Sequence, residues 1–377
     1  MNPTVAEISL PALRHNLQEV ARRVGTAAIV AVVKANAYGH GAVPVARTLL
    51  AAGARQLGVA TVAEGVELRA AGITAPILVM GGVFPDEIPT LLEGDLTPVL
   101  QSPDAIATMA RFAGSRNISL PLRVHLKVDT GMGRLGLTEE ELLAVLGSSW
   151  PAALQLEGLM SHLARADESD PLPTEDQLAK FRALLDAMKS MGLVVPLAHI
   201  AGSAAILRFP ASHFNMVRPG LMLYGYAPGS ARSPALRPAL TWKTRVVQVK
   251  RVHPGHAVSY GGTFVASRPS VLAVLPVGYA DGYARGLSNR GHVLIGGRPT
   301  PIVGRVCMDL TIVDVTDHPS VHPGDEAILL GEQGTARITA DDLATWLGTI
   351  SYEVLCQIGR RVVRIYLDEC PPVTRED

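Results

Sequence analysis

The chain has 377 residues, 48% of them hydrophobic and 18% charged, which is enough apolar material for a large barrel plus a smaller domain and argues against wholesale disorder. Lys+Arg and Asp+Glu balance at 34 each, and no local basic run offsets that balance, so the positive footprint of a general nucleic-acid binder is absent. No apolar run reaches membrane-spanning length, and the three cysteines (Cys307, Cys356, Cys370) make no paired framework or CxxC metal pattern.

The opening stretch MNPTVAEISLPALRHN lacks the apolar core of a signal peptide, which together with the cysteine usage leads us to expect a cytoplasmic protein with reduced thiols. From there to about residue 225 short apolar runs alternate with helix-period segments. AIVAVVKA precedes AVPVARTLLAAG, QLGVAT precedes VAEGVELRAAG, and PILVMGG precedes IPTLLEG. LTPVL, LPLRVHLKVD, LQLEGLMSHL, LAHIAG and FNMVRPGLMLYG continue the series to eight strand-like runs, nearly all followed by a helix. Continuous rather than alternating apolar strands are covered on both faces, as in a parallel sheet. Eight such units in this length predict a (β/α)8 barrel over residues 1–238. No GxGxxG follows the first run, which weakens a dinucleotide-binding reading.

After the Pro- and Ser-rich stretch APGSARSPALRP the pattern changes. LTWKTRVVQVKRV, SVLAVLPVGY, HVLIGGRPTPIVGRV, LTIVDVT, EAILLG and RVVRIYL read as strands, and ITADDLATWLG as a helix opening at Thr339. A mostly β domain is therefore expected over residues 239–377.

In a barrel the loops after the strands gather at one face, where catalytic groups sit. The strand ends carry Lys34, then Lys127 and Asp129 leading into TGMGR with Arg134, then His162, His199 with Ser203, and Arg218 in RPG. A lysine closing the β-branched run AVVK is unexpected, because an unpaired buried charge is costly; the plain alternative is that it reaches into solvent. Ser203 stands where a strand turns into a helix, so it serves either as an ordinary N-cap or as part of an anion site. Gly220 follows the last strand, where barrels often bind phosphate. Of the 8 tyrosines, six adjoin glycine (Tyr38, Tyr224, Tyr226, Tyr260, Tyr279, Tyr283). A phenol in a glycine-flanked loop can approach a ligand closely, although Tyr224 or Tyr226 reads equally well as capping a core edge.

AVVKANAYGHG resembles the cofactor-lysine signature of the alanine racemases, and KVDTGMGRLG, MSHLARADE, MVRPGLMLYG, VSYGGTF, VGYADGY, GRVCMDL and ISYEVLC are similar to further blocks of that family in the same order, over essentially the whole chain. The resemblance implies a pyridoxal 5′-phosphate (PLP) enzyme that interconverts L- and D-alanine, supplying D-alanine for peptidoglycan synthesis. Lys34 would hold PLP as a Schiff base and serve one face of the substrate Cα, with Tyr260 serving the other. A phenol ordinarily keeps its proton at neutral pH, so Tyr260 needs support, for which His162, Arg134 and Arg218 are the matching positions. Arg218 would face the pyridine nitrogen and, being unable to give up its proton, leave that nitrogen unprotonated.

Tyr38, His199, Ser203, Gly220, Leu221 and Tyr352 match cofactor-holding positions. Arg134, Met308, Tyr279 and Asp309 match substrate-side positions, Met308 through its backbone N–H. Lys127 matches a position that is carbamylated in some members. The family also implies a homodimer in which the barrel of one subunit faces the β domain of the other, so that Tyr260, Tyr279, Met308 and Asp309 act in trans. Two residues depart from the pattern: Gly202 where many relatives carry asparagine, and Leu310 where glutamine is frequent. A racemase for serine or a wider range of amino acids, a PLP-dependent decarboxylase on the same barrel type, and a non-catalytic PLP-binding protein are the other readings. The decarboxylases are longer, and PLP carriers generally lack the β domain that this chain has.

Overall fold

The computed structural model describes residues 3–115, 121–229, 231, 233, 235–318 and 320–368. Cys370 and, in the Pro- and Ser-rich stretch, Ser230, Arg232 and Pro234 lie outside the described residues. The chain forms two compact units: Ala12–Ala37 with Ala42–Arg237, and Met1–Pro11 with Tyr38–Gly41 and Pro238–Asp377.

The first strand, β1 (Val5–Ser9), belongs to the second of these units, although the sequence reading counts its residues with the barrel. Its burial alternates residue by residue, with Ala6 and Ile8 fully inside. Such a strand is covered on one face only and fits a mixed sheet better than a barrel wall. It lies antiparallel to Leu240–Arg245 and parallel to Val363–Leu367.

The barrel strands are β2 (Ala28–Val32), β3 (Gln56–Val59), β4 (Ile77–Val79), β5 (Thr97–Leu100), β6 (Leu122–Lys127), β7 (Leu154–Met160), β8 (Leu197–His199) and β9 (Met216–Val217). They pair in parallel in the order β8-β7-β6-β5-β4-β3-β2-β9. The eight apolar runs of the sequence thus become an eight-stranded, nearly closed sheet. The two edge strands approach where Arg218 N–H, just past β9, donates to the Ala201 carbonyl just past β8 (2.9 Å). Helices such as Ala42–Ala51, Val62–Ala70, Pro103–Ser115 and Leu172–Ser190 follow the strands. The wall strands β3, β4 and β5 are buried at every position, as expected of continuous apolar runs.

The barrel interior is not wholly apolar. His125 (on β6) and His199 (on β8) are fully buried with their rings edge to face, centroids 4.9 Å apart. The intervening strand β7 makes room for them with Gly158, where a Cβ would lie 2.4 Å from His125 Nδ1.

In the other unit the main sheet runs Arg298–Pro301, His292–Ile295, Glu326–Gln333, Leu240–Arg245, β1, Val363–Leu367. A three-stranded sheet joins Gln248–Val252, Ser270–Leu275 and Thr311–Asp314. The helix expected at Thr339 forms over Ala340–Leu347, with Thr339 and Asp342 closing a reciprocal capping box. Among the described residues no helix is long and apolar enough to cross a membrane.

Candidate active site

The cluster at the barrel mouth begins with Lys34. Strand β2 ends at Val32, Val33 N–H still donates to Gly58 O of β3 (2.9 Å), and Lys34 emerges exposed. The backbone then does something the sequence does not announce. Ala35, Asn36 and Ala37 take left-handed helical angles (φ 52, 52 and 53°; ψ 50, 47 and 51°). Each such residue costs an L-amino acid roughly 1–2 kcal/mol, so the turn persists only because bonds hold it. Ala37 N–H donates to Val33 O (2.8 Å), Ala42 N–H donates to Asn36 Oδ1 (2.8 Å), and Ala35 N–H donates to the Glu64 carboxylate (2.7 Å).

After β6 the carboxylate of Asp129 gathers the TGMG loop, accepting from the N–H groups of Gly131 (2.9 Å), Met132 (2.8 Å) and Gly133 (2.8 Å). Burial alone would raise its pKa, but these amides and that of Arg134 outweigh it and hold Asp129 below the usual carboxylate range. The wrapped loop carries Arg134. Gln177, from the Leu172–Ser190 helix, ties this loop to the next by donating to Thr130 Oγ1 (3.2 Å) and His162 O (3.0 Å). Thr130 Oγ1 also meets Ser161 Oγ at 2.8 Å.

Arg218 is buried, and its named acceptors are all neutral: Ser161 O (2.7 Å), Ile200 O (3.3 Å), His199 Nδ1 (2.9 Å) and His162 Nδ1 (3.3 Å). Burial pushes its pKa down to about 9, so it remains a guanidinium at neutral pH. Because Arg218 can only donate, His199 must accept at Nδ1 and carry its proton on Nε2. That proton points at His125 Nδ1 (2.8 Å), so His125 in turn donates from Nε2 to Glu157 (3.2 Å). The bond from His125 is the largest cause holding Glu157 below the usual carboxylate range. His199, grouped from the sequence with the cofactor-holding positions, thus lies inside the barrel against Arg218.

Ser203 opens the short helix Ser203–Arg208, which has no side-chain cap. Its Oγ accepts from the N–H groups of Gly220 (3.0 Å) and Met222 (3.2 Å). A hydroxyl has two lone pairs and one proton. With both lone pairs engaged, the proton is the hydrogen-bonding capacity left, and it suits an acceptor such as a phosphate oxygen. The turn Leu221–Tyr224 also starts without a side-chain cap, so two helix starts are joined through one serine. Gly202 leaves open space here, a Cβ on it coming only within 3.6 Å of His162 Cε1.

The electrostatics agree with an anionic guest. Burial, and then the charges of Arg218, Arg134, Lys127 and Lys34, push His162 down to about 3. Burial, then Arg134 and Arg218, bring Lys127 down to about 8, against which Asp129 works. A surplus of cationic groups, a donor-only serine and a fixed guanidinium fit PLP, with its anionic phosphate and a pyridine nitrogen able to accept a hydrogen bond.

The second unit holds the other sequence-derived positions. Tyr260 is 73% exposed on a turn that begins at Ser259, itself at φ 62° and anchored by its hydroxyl to Arg305 O (2.7 Å). Met308 stands exposed in the turn closed by Cys307 N–H to Leu310 O (2.9 Å). Tyr279 is exposed as well; the preceding Gly278 N–H donates to the Asp281 carboxylate (2.9 Å), which Arg361 grips with two nitrogens while also reaching Asp309 (2.7 Å). Tyr38 is buried, its ring 6.1 Å from that of Tyr352, and burial raises its hydroxyl pKa. Of the other glycine-flanked tyrosines, Tyr224 is core, donating to Val32 O (2.9 Å). Tyr226 is also buried, and Tyr283 packs against Trp242 rather than lying open to a ligand.

Sequence reasoning missed Glu64, His125, Glu157, Gln177 and Arg361. Only Glu64 left a local signal, the T-x-x-E of a capping box, which marks a helix start and nothing more.

A pH consequence follows from His162. Its ring accepts a proton in the unfolded chain below about 6.5 but in the fold only near 3. Its contribution to stability is therefore present above pH 6.5 and is lost as pH falls toward 3. We expect the His162 ring to show no protonation between pH 5 and 8 by NMR. Arg134→Gln should move its titration upward by removing one of the named cations. An ordinary imidazole titration near neutrality would contradict this electrostatic picture.

Comparison with known proteins gives the same direction. Residues 8–228 match the family model described as alanine racemase, N-terminal domain, and residues 239–366 the one described as alanine racemase, C-terminal domain. An alanine racemase of Carboxydothermus hydrogenoformans is 48% identical over 371 residues, covering 97% of this chain and 100% of that protein. A crystal structure of alanine racemase from D-cycloserine-producing Streptomyces lavendulae superposes with TM-score 0.92 at 38% identity, covering 98% of each chain. Alanine racemase from Bartonella henselae with covalently bound pyridoxal phosphate superposes with TM-score 0.89 at 31% identity, over 97% of this chain and all of that one (100%).

Proposed function

The chain belongs to the alanine racemase family, and we propose that it interconverts L- and D-alanine with Lys34 and Tyr260 as its two bases. It is a PLP-dependent isomerase. The observation that carries the site assignment is Arg218: a buried guanidinium among neutral acceptors, beside a serine that can only donate.

When bound, PLP supplies the electron sink for the charge left on Cα as its proton departs. The rest is done by this chain's residues. Lys34 Nζ would hold the cofactor and take or return the proton on the D-alanine face. Tyr260 Oη does the same on the L-alanine face. His162, neutral under working conditions, and Arg134 support the tyrosine; Arg134 and Met308 N–H receive the substrate carboxylate, flanked by Tyr279 and Asp309. Arg218 keeps its proton and, set against the cofactor's pyridine nitrogen, would leave that nitrogen unprotonated. Ser203, Gly220, Leu221, Tyr38 and Tyr352 would hold the phosphate. The exposure of Tyr260, Tyr279 and Met308 supports their service to the partner subunit in a homodimer. Supply of D-alanine for peptidoglycan, in the cytoplasm, is part of the same proposal.

The one-face role of Tyr260 is tested by α-proton exchange in deuterated solvent. Tyr260→Phe should keep PLP and still exchange the α-proton of D-alanine. Exchange from L-alanine should fall by about two to four orders of magnitude, the usual cost of losing a positioned base. Equal loss from both enantiomers, with PLP retained, rejects the two-base assignment.

Action in trans predicts complementation. Lys34→Ala and Tyr260→Phe proteins, each inactive, should regain part of the wild-type rate after subunit exchange, because each mixed dimer contains one intact site. Exchange verified by mass without recovery would place both bases in one chain.

Lys127, brought down to about 8, offers more neutral amine as pH rises through that value, and neutral amine is what carbon dioxide adds to, with loss of one proton. A carbamate on Lys127 should therefore be seen by NMR with labelled bicarbonate at pH 8.5, less of it at pH 6.5, and none in Lys127→Ala. A spectrum without the adduct at either pH removes this modification from the proposal.

A further inference from the structure

We propose that Glu64 is a positioning residue for Lys34, acting by holding the left-handed turn that follows it. The inference rests on the reading of Lys34 as the cofactor lysine. Glu64 is the N3 residue of the Val62–Ala70 helix, and its Oε2 does what a capping box requires, accepting from Thr61 N–H (3.3 Å) and also from Ala60 N–H (2.7 Å). Its Oε1 does something a cap does not require. It accepts Ala35 N–H at 2.7 Å, from the loop after the neighbouring strand. Both oxygens accept, so the side chain acts as an ionised carboxylate, a charge favoured at a helix N-terminus.

The peptide that Glu64 grips is the one joining Lys34 to Ala35, so the bond fixes the orientation of that peptide at Lys34. On the other side, Val33 N–H is tied to Gly58 O (2.9 Å). Lys34 is thereby held between two anchors, one on β3 and one just beyond it. Without the Glu64 anchor, the one bond that takes the Ala35 N–H is lost, and less remains to offset the Cβ penalty at φ 52°. The lysine would then lose the direction in which its amine must point. The bond from Ala37 to Val33 closes the turn around Lys34, Ala35 and Asn36, and that from Ala42 to Asn36 closes its far end, but neither engages the Ala35 N–H, which goes to Glu64.

Glutamine separates the two jobs. At N3 it can still cap the helix, but its amide nitrogen then faces the Ala35 N–H, donor against donor. Holoenzyme of Glu64→Gln should melt close to the wild-type temperature, with KM little changed and kcat down by about 10²-fold, the scale of a misplacement near 1 Å. The pH dependence of its lysine-bound chromophore should also shift. Adding Ala35→Gly should restore a large part of kcat, because glycine takes the left-handed conformation without the Cβ penalty. Thr61→Ala, which weakens the cap and leaves the Ala35 bond, should lower stability and spare kcat.

The inference falls if Glu64→Gln has wild-type rates and chromophore titration, if Ala35→Gly fails to restore it, or if Thr61→Ala causes the same kinetic loss. Should Glu64→Gln not fold, rescue of folding and activity together by Ala35→Gly supports the proposal and no rescue rejects it. Borohydride labelling of the wild-type holoenzyme keeps the two readings apart. A label away from Lys34 overturns the lysine assignment itself, whereas a label on Lys34 leaves only the role of Glu64 in question.

Discussion

Arg218 sets the terms for everything around it at the barrel mouth. A guanidinium taken out of water needs acceptors on its N–H groups, and a carboxylate would be the cheapest partner. Among the described residues none accepts from Arg218; two carbonyl oxygens and two imidazole nitrogens surround it instead. That choice preserves an uncompensated positive charge at the site, where an anionic cofactor can use it. A carboxylate in direct contact would have cancelled the charge.

Neutral acceptors must nevertheless be kept neutral and correctly oriented. Burial keeps His199 far below its ordinary pKa, and the Arg218 charge adds to that. The proton polarity from Arg218 through His199 and His125 to Glu157 is determined at both ends, by a group that can only donate and one that, ionised, can only accept. The nearest compensating carboxylate along this chain thus stands two imidazoles away. Distance weakens its Coulomb pull on Arg218, while the hydrogen bonds still transmit orientation. Gly158 permits the arrangement, since any side chain there would occupy the space of the His125 ring.

The architecture was largely legible because barrel strands announce themselves as continuous apolar runs, and all eight were visible. β1 was not, because five residues of alternating burial beside a helix carry little periodic signal. At the site, residues that end strands could be found, since chain order and the barrel rule place them together. Residues that act from inside the barrel or across a loop could not. His125 reads in the sequence as one polar interruption in LRVHLK, and only the pairing of β6 with β7 and of β7 with β8 brings it to His199. The tyrosines show the limit of local composition: glycine neighbours describe Tyr260 and Tyr283 equally, yet one is exposed on a turn and the other is packed beneath Trp242.

The two cationic residues that most define the barrel mouth are held by opposite means. Arg218 is rigid through its own side chain, with several donors engaged, so its position survives small changes in the backbone that carries it. Lys34 is exposed, with a flexible four-carbon stem, and among the described residues no hydrogen bond or ion pair fixes its amine. Its precision has to come from the backbone beneath it, which explains why a strained left-handed turn is tolerated there. An ordinary right-handed continuation would cost less, but it would carry Ala35 N–H away from Glu64 and turn the peptide that defines the lysine's direction. Strain at this point is the consequence of positioning a flexible side chain from its base.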